Sequence, residues 1–367
     1  MQIQKNYPRY ELKFILILTI LYFLLPIFLN YFFPKNFYIF SDYQFQSTTL
    51  SLIALGIMYI FYILIFKSMK SMKSISKVVT ISKISKKILF YVFLLFVLLL
   101  FLLIINGLYY RIVLGISDRI YLLTEEQKYF VSGMSFVLIG GLTYSVLFLR
   151  KKVLFILIFS LILIDILYMG KKFSFYAIAI LFFILDKYKM NPKYFYFIVL
   201  LGVFLIIITF ITRAYVSVND FQISTLFVSA YGLVSEFMGV YASIGWAQEY
   251  GEFIHHYFNL DRELSSYYLS SVGHGLAIHP IAYFFIIASQ YWYFIFILYF
   301  MVVFILMRFF SIILGNLSVF VLLINSIDFF RHGPDIFMKH FFIQSVFLAF
   351  IISLPRIIKR KASENIN

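Results

Sequence analysis

Residues 67–108 read KSMKSMKSISKVVTISKISKKILFYVFLLFVLLLFLLIINGL. The first half holds seven lysines, at 67, 70, 73, 77, 83, 86 and 87. The second half, 88–108, carries no charge and is apolar on every face of a helix. A run of about 20 such residues is long enough to cross a bilayer as an α-helix. A lysine-rich connection beside it belongs on the cytoplasmic side. Residues 67–87 therefore read as a cytoplasmic loop, one that could also lie on anionic lipid.

The pattern repeats through the chain. Of 367 residues, 63% are hydrophobic and 13% charged, with a mean hydropathy of +0.95. A soluble domain carries about 25% charged residues. The net charge of +15 sits mostly in short connections between apolar segments. Membrane topology accounts for it, and nucleic-acid binding is set aside. The first apolar run is followed by no small-residue cleavage site and is expected to remain as an anchor. Cysteine is absent, which excludes disulfides and thiolate chemistry.

The expected fold is an all-α, polytopic integral membrane protein forming a single transmembrane domain over 1–367. About ten transmembrane helices are expected, near 14–33, 47–66, 88–108, 129–149, 153–169, 173–186, 194–212, 281–306, 311–327 and 340–354. Pro26 should kink the first. Both basic termini are then cytoplasmic. Outer loops include 34–46, the segment carrying Arg111, Asp118 and Arg119, and a tight turn from Asp328 to Lys339.

The remaining long stretch, 213–280, is neither fully apolar nor lysine-rich. It runs from RAYVSVNDFQ to SSVGHGLAIHP and reads as a large periplasmic loop containing short interfacial helices. Spanning at 221–246 would put Glu236 at mid-membrane, at a cost of about 2.5–3.5 kcal/mol. Ser229, Gly232, Glu236, Gly239 and Ser243 instead form one small, polar helical face, as expected of a re-entrant or interfacial helix.

This topology turns Lys35, Arg111, Arg119, Lys128, Lys171, Lys172, Arg213, Arg262, Arg331 and Lys339 outward, against the usual bias. Each could snorkel or pair with Asp220, Asp328 or Asp335. As a set they fit an anionic ligand at the outer leaflet. All six histidines (255, 256, 274, 279, 332 and 340) fall on the same side. Their spacing matches no zinc motif, and neither a nucleophile elbow nor a phosphate-binding loop occurs.

Three stretches resemble the O-antigen (oligosaccharide repeat-unit) polymerases, the Wzy family. GKKFSFYAIAILFFIL from Gly170 resembles the family's basic turn into a short span. GHGLAIHPIAYFFIIASQYWYFIFILYF from Gly273 resembles the start of its late span. FRHGPDIFMKHFF from Phe330 resembles the turn before its last. Arg262 and Gly273 keep an outer-loop Arg-to-Gly spacing found in some members. The chain departs at Tyr283, where many members have an acidic residue, and at Ser289-Gln290-Tyr291-Trp292, where a polar-glycine turn is usual.

The resemblance implies a multi-pass protein of the bacterial inner membrane, acting at its periplasmic face. Its substrates would be undecaprenyl-diphosphate-linked oligosaccharides. A glycan would pass from its anomeric carbon to a hydroxyl of an incoming unit, with departure of lipid diphosphate. Besides membrane lipids, a chain-length regulator is an implied partner. No cofactor is expected, and cations take the place of a divalent ion. Lys171, Lys172, Arg213, Arg262 and Arg331 would bind diphosphate. His274, His279, Glu236 or His332 would be the general base. Tyr267, Tyr268 and Trp246 could stack on sugars or simply anchor at the interface. A lipid-linked oligosaccharide flippase, an O-antigen ligase, a ten-span acyltransferase and a structural membrane protein are the competing readings.

Overall fold

The computed structural model describes residues 9–32, 44–71, 81–115, 128–168, 172–187, 196–197, 200, 204, 240–249, 251, 260 and 278–364. Among these every regular element is helical. They are α1 (Arg9–Thr19), a π-helical turn (Ile20–Leu24), α2 (Leu25–Phe32), α3 (Gln44–Ser71), α4 (Lys83–Leu108), α5 (Lys128–Phe148), α6 (Lys151–Tyr168), α7 (Lys172–Lys187), α8 (Pro280–Ala288), α9 (Trp292–Leu314), α10 (Leu317–Arg331) and α11 (Pro334–Glu364). Residues 240–249 are also helical.

Four described helical stretches are long and apolar enough to cross a membrane: Thr48–Ile65, Lys83–Val113, Pro280–Leu314 and Pro334–Pro355. Lys13–Leu29, Met134–Phe148 and Lys172–Leu185 are shorter apolar helices. The expected all-α character and apolar helices are therefore present. The expected seventh span, at 194–212, lies almost wholly outside the described residues.

Helix α4 shows why this sequence makes such helices. Ser82 caps it, its hydroxyl accepting from the Ser85 amide at 3.0 Å. Its 26 residues extend about 39 Å. Leu89, Phe96, Leu100 and Gly107 make a buried stripe at helical spacing. Leu95, Leu98, Phe101 and Leu102 on the other faces are more than half exposed. In water such a surface would be costly, at about 25 cal/mol per Å², whereas lipid solvates it.

Small residues let the neighbouring helix come close. A Cβ on Gly140 would meet Val92 Cγ1 at 2.5 Å, and one on Gly141 would overlap the Phe96 ring. Close backbone approach of this kind is how helices associate in lipid. Helix α10 occupies the centre: every residue from Leu317 to Phe330 is buried. Helices α1, α7, α9 and α11 surround it.

Several expected boundaries move. Helix α9 does not stop at 306 but runs through Arg308 to Leu314, because nothing breaks it before Gly315, which takes φ +58°. The next helix starts at 317 rather than 311. The segment read as one span at 281–306 is divided by a 3-10 turn, Ser289–Tyr291, entered at Ser289 with φ 44°. The loop expected from Asp328 to Lys339 contracts to His332–Gly333, since Asp328 closes α10 and Pro334 opens α11. Arg111 is also helical, in the π turn Tyr109–Val113 continuing α4, and its Nε donates to the Leu167 carbonyl at 2.7 Å.

The close α4–α5 contact predicts the cost of filling it. Gly141→Leu should lower stability by about 1–3 kcal/mol through overpacking. Gly56→Leu, where a Cβ meets nothing within 4 Å, should stay within about 0.5 kcal/mol of wild type. Thermal unfolding in detergent checks both.

Candidate functional site

The ends of four helices meet at one place: the starts of α7, α8 and α11 and the end of α10. Each end has a local cause. Asp165, buried at the end of α6, accepts from the Ser174 amide at 2.5 Å and so caps α7. At the end of α10 the Asp328 carbonyl accepts from His332 N at 2.8 Å and Gly333 N at 3.1 Å. Gly333 turns the chain with φ +104°. A Cβ there would lie 2.9 Å from Asp335 Oδ1 and 3.3 Å from Ile278 Cγ2. The Arg331 carbonyl accepts from Ile278 N at 3.0 Å, which fixes the approach to α8.

Asp328 is the centre of the cluster. Its side chain is 1% exposed, and its two oxygens have different partners: Lys172 Nζ at 3.4 Å from Oδ1 and His340 Nδ1 at 2.8 Å from Oδ2. Lys172 is itself 45% exposed and also hydrogen-bonds the buried Tyr176 hydroxyl. Burial alone would raise the Asp328 carboxyl. Lys172 beside it and the His340 hydrogen bond outweigh that and hold it well below the usual carboxylate range. Asp328, Arg331, Lys172 and His340 all act electrostatically on His332, whose own burial brings it down to about 4. Two permanent cations, Lys172 and Arg331, thus act on His332, and Lys172 also pairs with the Asp328 carboxylate.

His279 stands beside this cluster, fully buried. Its Nδ1 accepts from the Ile281 amide at 3.2 Å and so caps α8. Its own amide donates to Ser243 Oγ at 2.8 Å. The ring packs against Phe23, with centroids 4.4 Å apart, and against Tyr241. With Nδ1 accepting, the proton sits on Nε2, which lacks an acceptor in good hydrogen-bond geometry. The Tyr22 carbonyl nonetheless acts on the ring, and burial pushes His279 down to about 3. Pro26 has no amide hydrogen to give that carbonyl its usual i+4 donor, and a π turn precedes it.

Of the nine residues expected at a site, the structure describes four: Lys172, His279, Arg331 and His332. All four lie at this junction. Lys171, Arg213, Glu236, Arg262 and His274 lie outside the described residues, as do Tyr267 and Tyr268. Trp246 is 8% exposed, buried like Val240, Tyr241 and Ala242 in the helical stretch 240–249. It is core here rather than a sugar-stacking surface. Sequence reading did not single out Asp328 and His340 as a pair. The available signal was a carboxylate closing an apolar helix, with a histidine in the second turn of the next. Among the described residues no group of three His, Cys, Asp or Glu side chains could hold a metal ion.

No known protein family, no curated protein and no solved structure matches this chain.

His279 and His332, both depressed below the ordinary value of about 6.5, give a signed pH dependence. Their contribution is complete above pH 6.5 and falls as pH drops towards 3–4, at up to about 1.4 kcal/mol per pH unit for each ring. His279→Asn keeps a capping side chain but nothing that titrates. Its unfolding temperature should fall less than that of wild type between pH 7 and pH 5. Equal falls would exclude His279 as a source of the acid sensitivity.

Proposed function

We propose that this protein polymerises undecaprenyl-diphosphate-linked oligosaccharide repeat units at the periplasmic face of a bacterial inner membrane. In this reading the chain crosses about ten times, both termini are cytoplasmic, and 213–280 is the large periplasmic loop. The reading draws on the resemblance to the O-antigen polymerases and makes the protein a glycosyltransferase. The observation that carries it is the meeting of Lys172 and Arg331, two cations read as outward-facing, at one helix junction, where both act on His332 and Lys172 pairs with Asp328.

Glycosyl transfer from a lipid diphosphate places growing negative charge on the departing oxygens. Preorganised cations at that point lower the barrier more than they favour the bound substrate. Arg331 offers a planar fork matched to phosphate oxygens, and Lys172 a point charge. Lys171, Arg213 and Arg262 are proposed to complete the diphosphate site. His274, Glu236 and His332 remain proposed contributors to deprotonation. His279 is proposed to position α8, since both its Nδ1 and its backbone amide are engaged in the fold.

Deleting the gene should leave lipopolysaccharide with core plus a single repeat unit, and complementation should restore the ladder. Arg331→Ala and Lys172→Ala should each shorten or abolish that ladder with protein levels maintained. Intact long chains from both variants would sink the cation role. Polymer accumulating on its lipid carrier in the deletion strain would favour the ligase, and single lipid-linked units trapped inside the flippase.

A further inference from the structure

We propose that Asp328 and His340 form a carboxylate–imidazole dyad in which His340 Nε2 is the general base of the reaction. The proposal rests on the glycosyl-transfer reading above.

Three features of the geometry point to it. First, His340 Nδ1 lies 2.8 Å from Asp328 Oδ2. An ionised carboxylate can only accept, so Nδ1 carries a proton, and in the neutral ring Nε2 then presents its lone pair. Second, of the three described histidines, His340 alone combines a carboxylate-bound Nδ1 with an open edge. Its side chain is 26% exposed, and its Nε2 has no hydrogen-bond partner among the described residues. His279 uses its Nδ1 as a helix cap and is sealed in the core. The His332 ring lies near Asp328 without a hydrogen bond to its carboxylate. Third, Lys172 takes the other carboxylate oxygen. It holds Asp328 charged and fixed, so the orienting group is itself oriented. A buried carboxylate that holds a neutral imidazole in one tautomer, and then pairs with the imidazolium, is the arrangement that activates a hydroxyl nucleophile.

The chemical step balances without a further reactant. His340 Nε2 takes the proton of the acceptor hydroxyl as that oxygen bonds to the donor's anomeric carbon. The bond from that carbon to the diphosphate oxygen breaks, and the lipid diphosphate leaves with the electron pair. Asp328 faces the imidazolium so formed, and Nε2 then returns its proton to water. Asp328 is a positioning residue here, since it acts through His340. Lys172 beside it is both a cation for diphosphate and the clamp on the dyad.

The test uses full-length protein in lipid nanodiscs and the lipid-linked repeat unit extracted from the deletion strain. His340→Ala should lower kcat by about 10²–10⁴-fold with KM changed less than about two-fold. Added imidazole should restore part of the lost rate to His340→Ala but none to wild type. Asp328→Asn should lower kcat in the same range and respond little to imidazole. Wild-type kcat in His340→Ala would overturn the dyad while leaving the transfer reading intact. So would a rate loss in both His340→Ala and His340→Gln that tracks loss of thermal stability. If the wild-type protein failed to extend the extracted unit, the transfer reading would fall and the dyad with it.

Discussion

The arrangement at the helix junction depends on one carboxylate taken out of water. An ion-sized group buried alone is costly by several kcal/mol, and removing one partner of a buried pair is more damaging than never having had the pair. Asp328 meets this by dividing its two oxygens between α7 and α11, while its backbone carbonyl receives the two amides of the turn that follows. One residue therefore ties three helix ends and a glycine turn to a common point. Lys172, His332 and His340 are the groups that offset the burial of Asp328.

A second constraint works from the other side. Pro26 removes an amide hydrogen from the first helix, and the chain adopts a π turn just before it. The Tyr22 carbonyl, left without that donor, acts on His279 instead. His279 reaches Ser243 through its backbone. A helix defect near the start of the chain is thereby matched to a cap more than 250 residues later. Phe330, stacked on Tyr22 at 5.5 Å, joins this contact to the end of α10. Of the two non-local polar contacts, one is made by Asp328 of α10 and the other lies against Phe330 of the same helix.

Much of the helical layout was legible because charge and hydropathy mark it strongly. Helices α4 to α7 fall within a few residues of the segments read from sequence, each bounded by lysine, arginine or glycine. The boundary between α9 and α10 was not legible from charge. Arg308 looks like a stop, yet a long side chain can reach past its own helix, and the real stop is Gly315. The reach of α10 was hidden for a related reason. Asp328 looks like the start of a loop when its partners are unknown, and those partners lie 12 residues ahead and 156 residues behind. Sequence marks which side chains are unusual for their surroundings. Pairing them across such distances needs the fold.

Below the Asp328–His340 contact the polar character continues without charge. Asn325, one turn earlier on α10, donates to Gln344, one turn later on α11, at 2.8 Å, and Gln344 donates to Ser135 of α5 at 2.9 Å. Within an apolar bundle such bonds are each worth only about 0.6–2 kcal/mol, but they fix rotation. A helix that turned by one residue would leave amides unpaired in hydrocarbon. The seam therefore holds α11 in the register that brings His340 to Asp328. It also limits charge to the helix ends, where Lys172 and Arg331 lie. Ionic groups at the helix ends and neutral amides beneath divide the work: the seam supplies orientation, and the ionic groups tie the ends together.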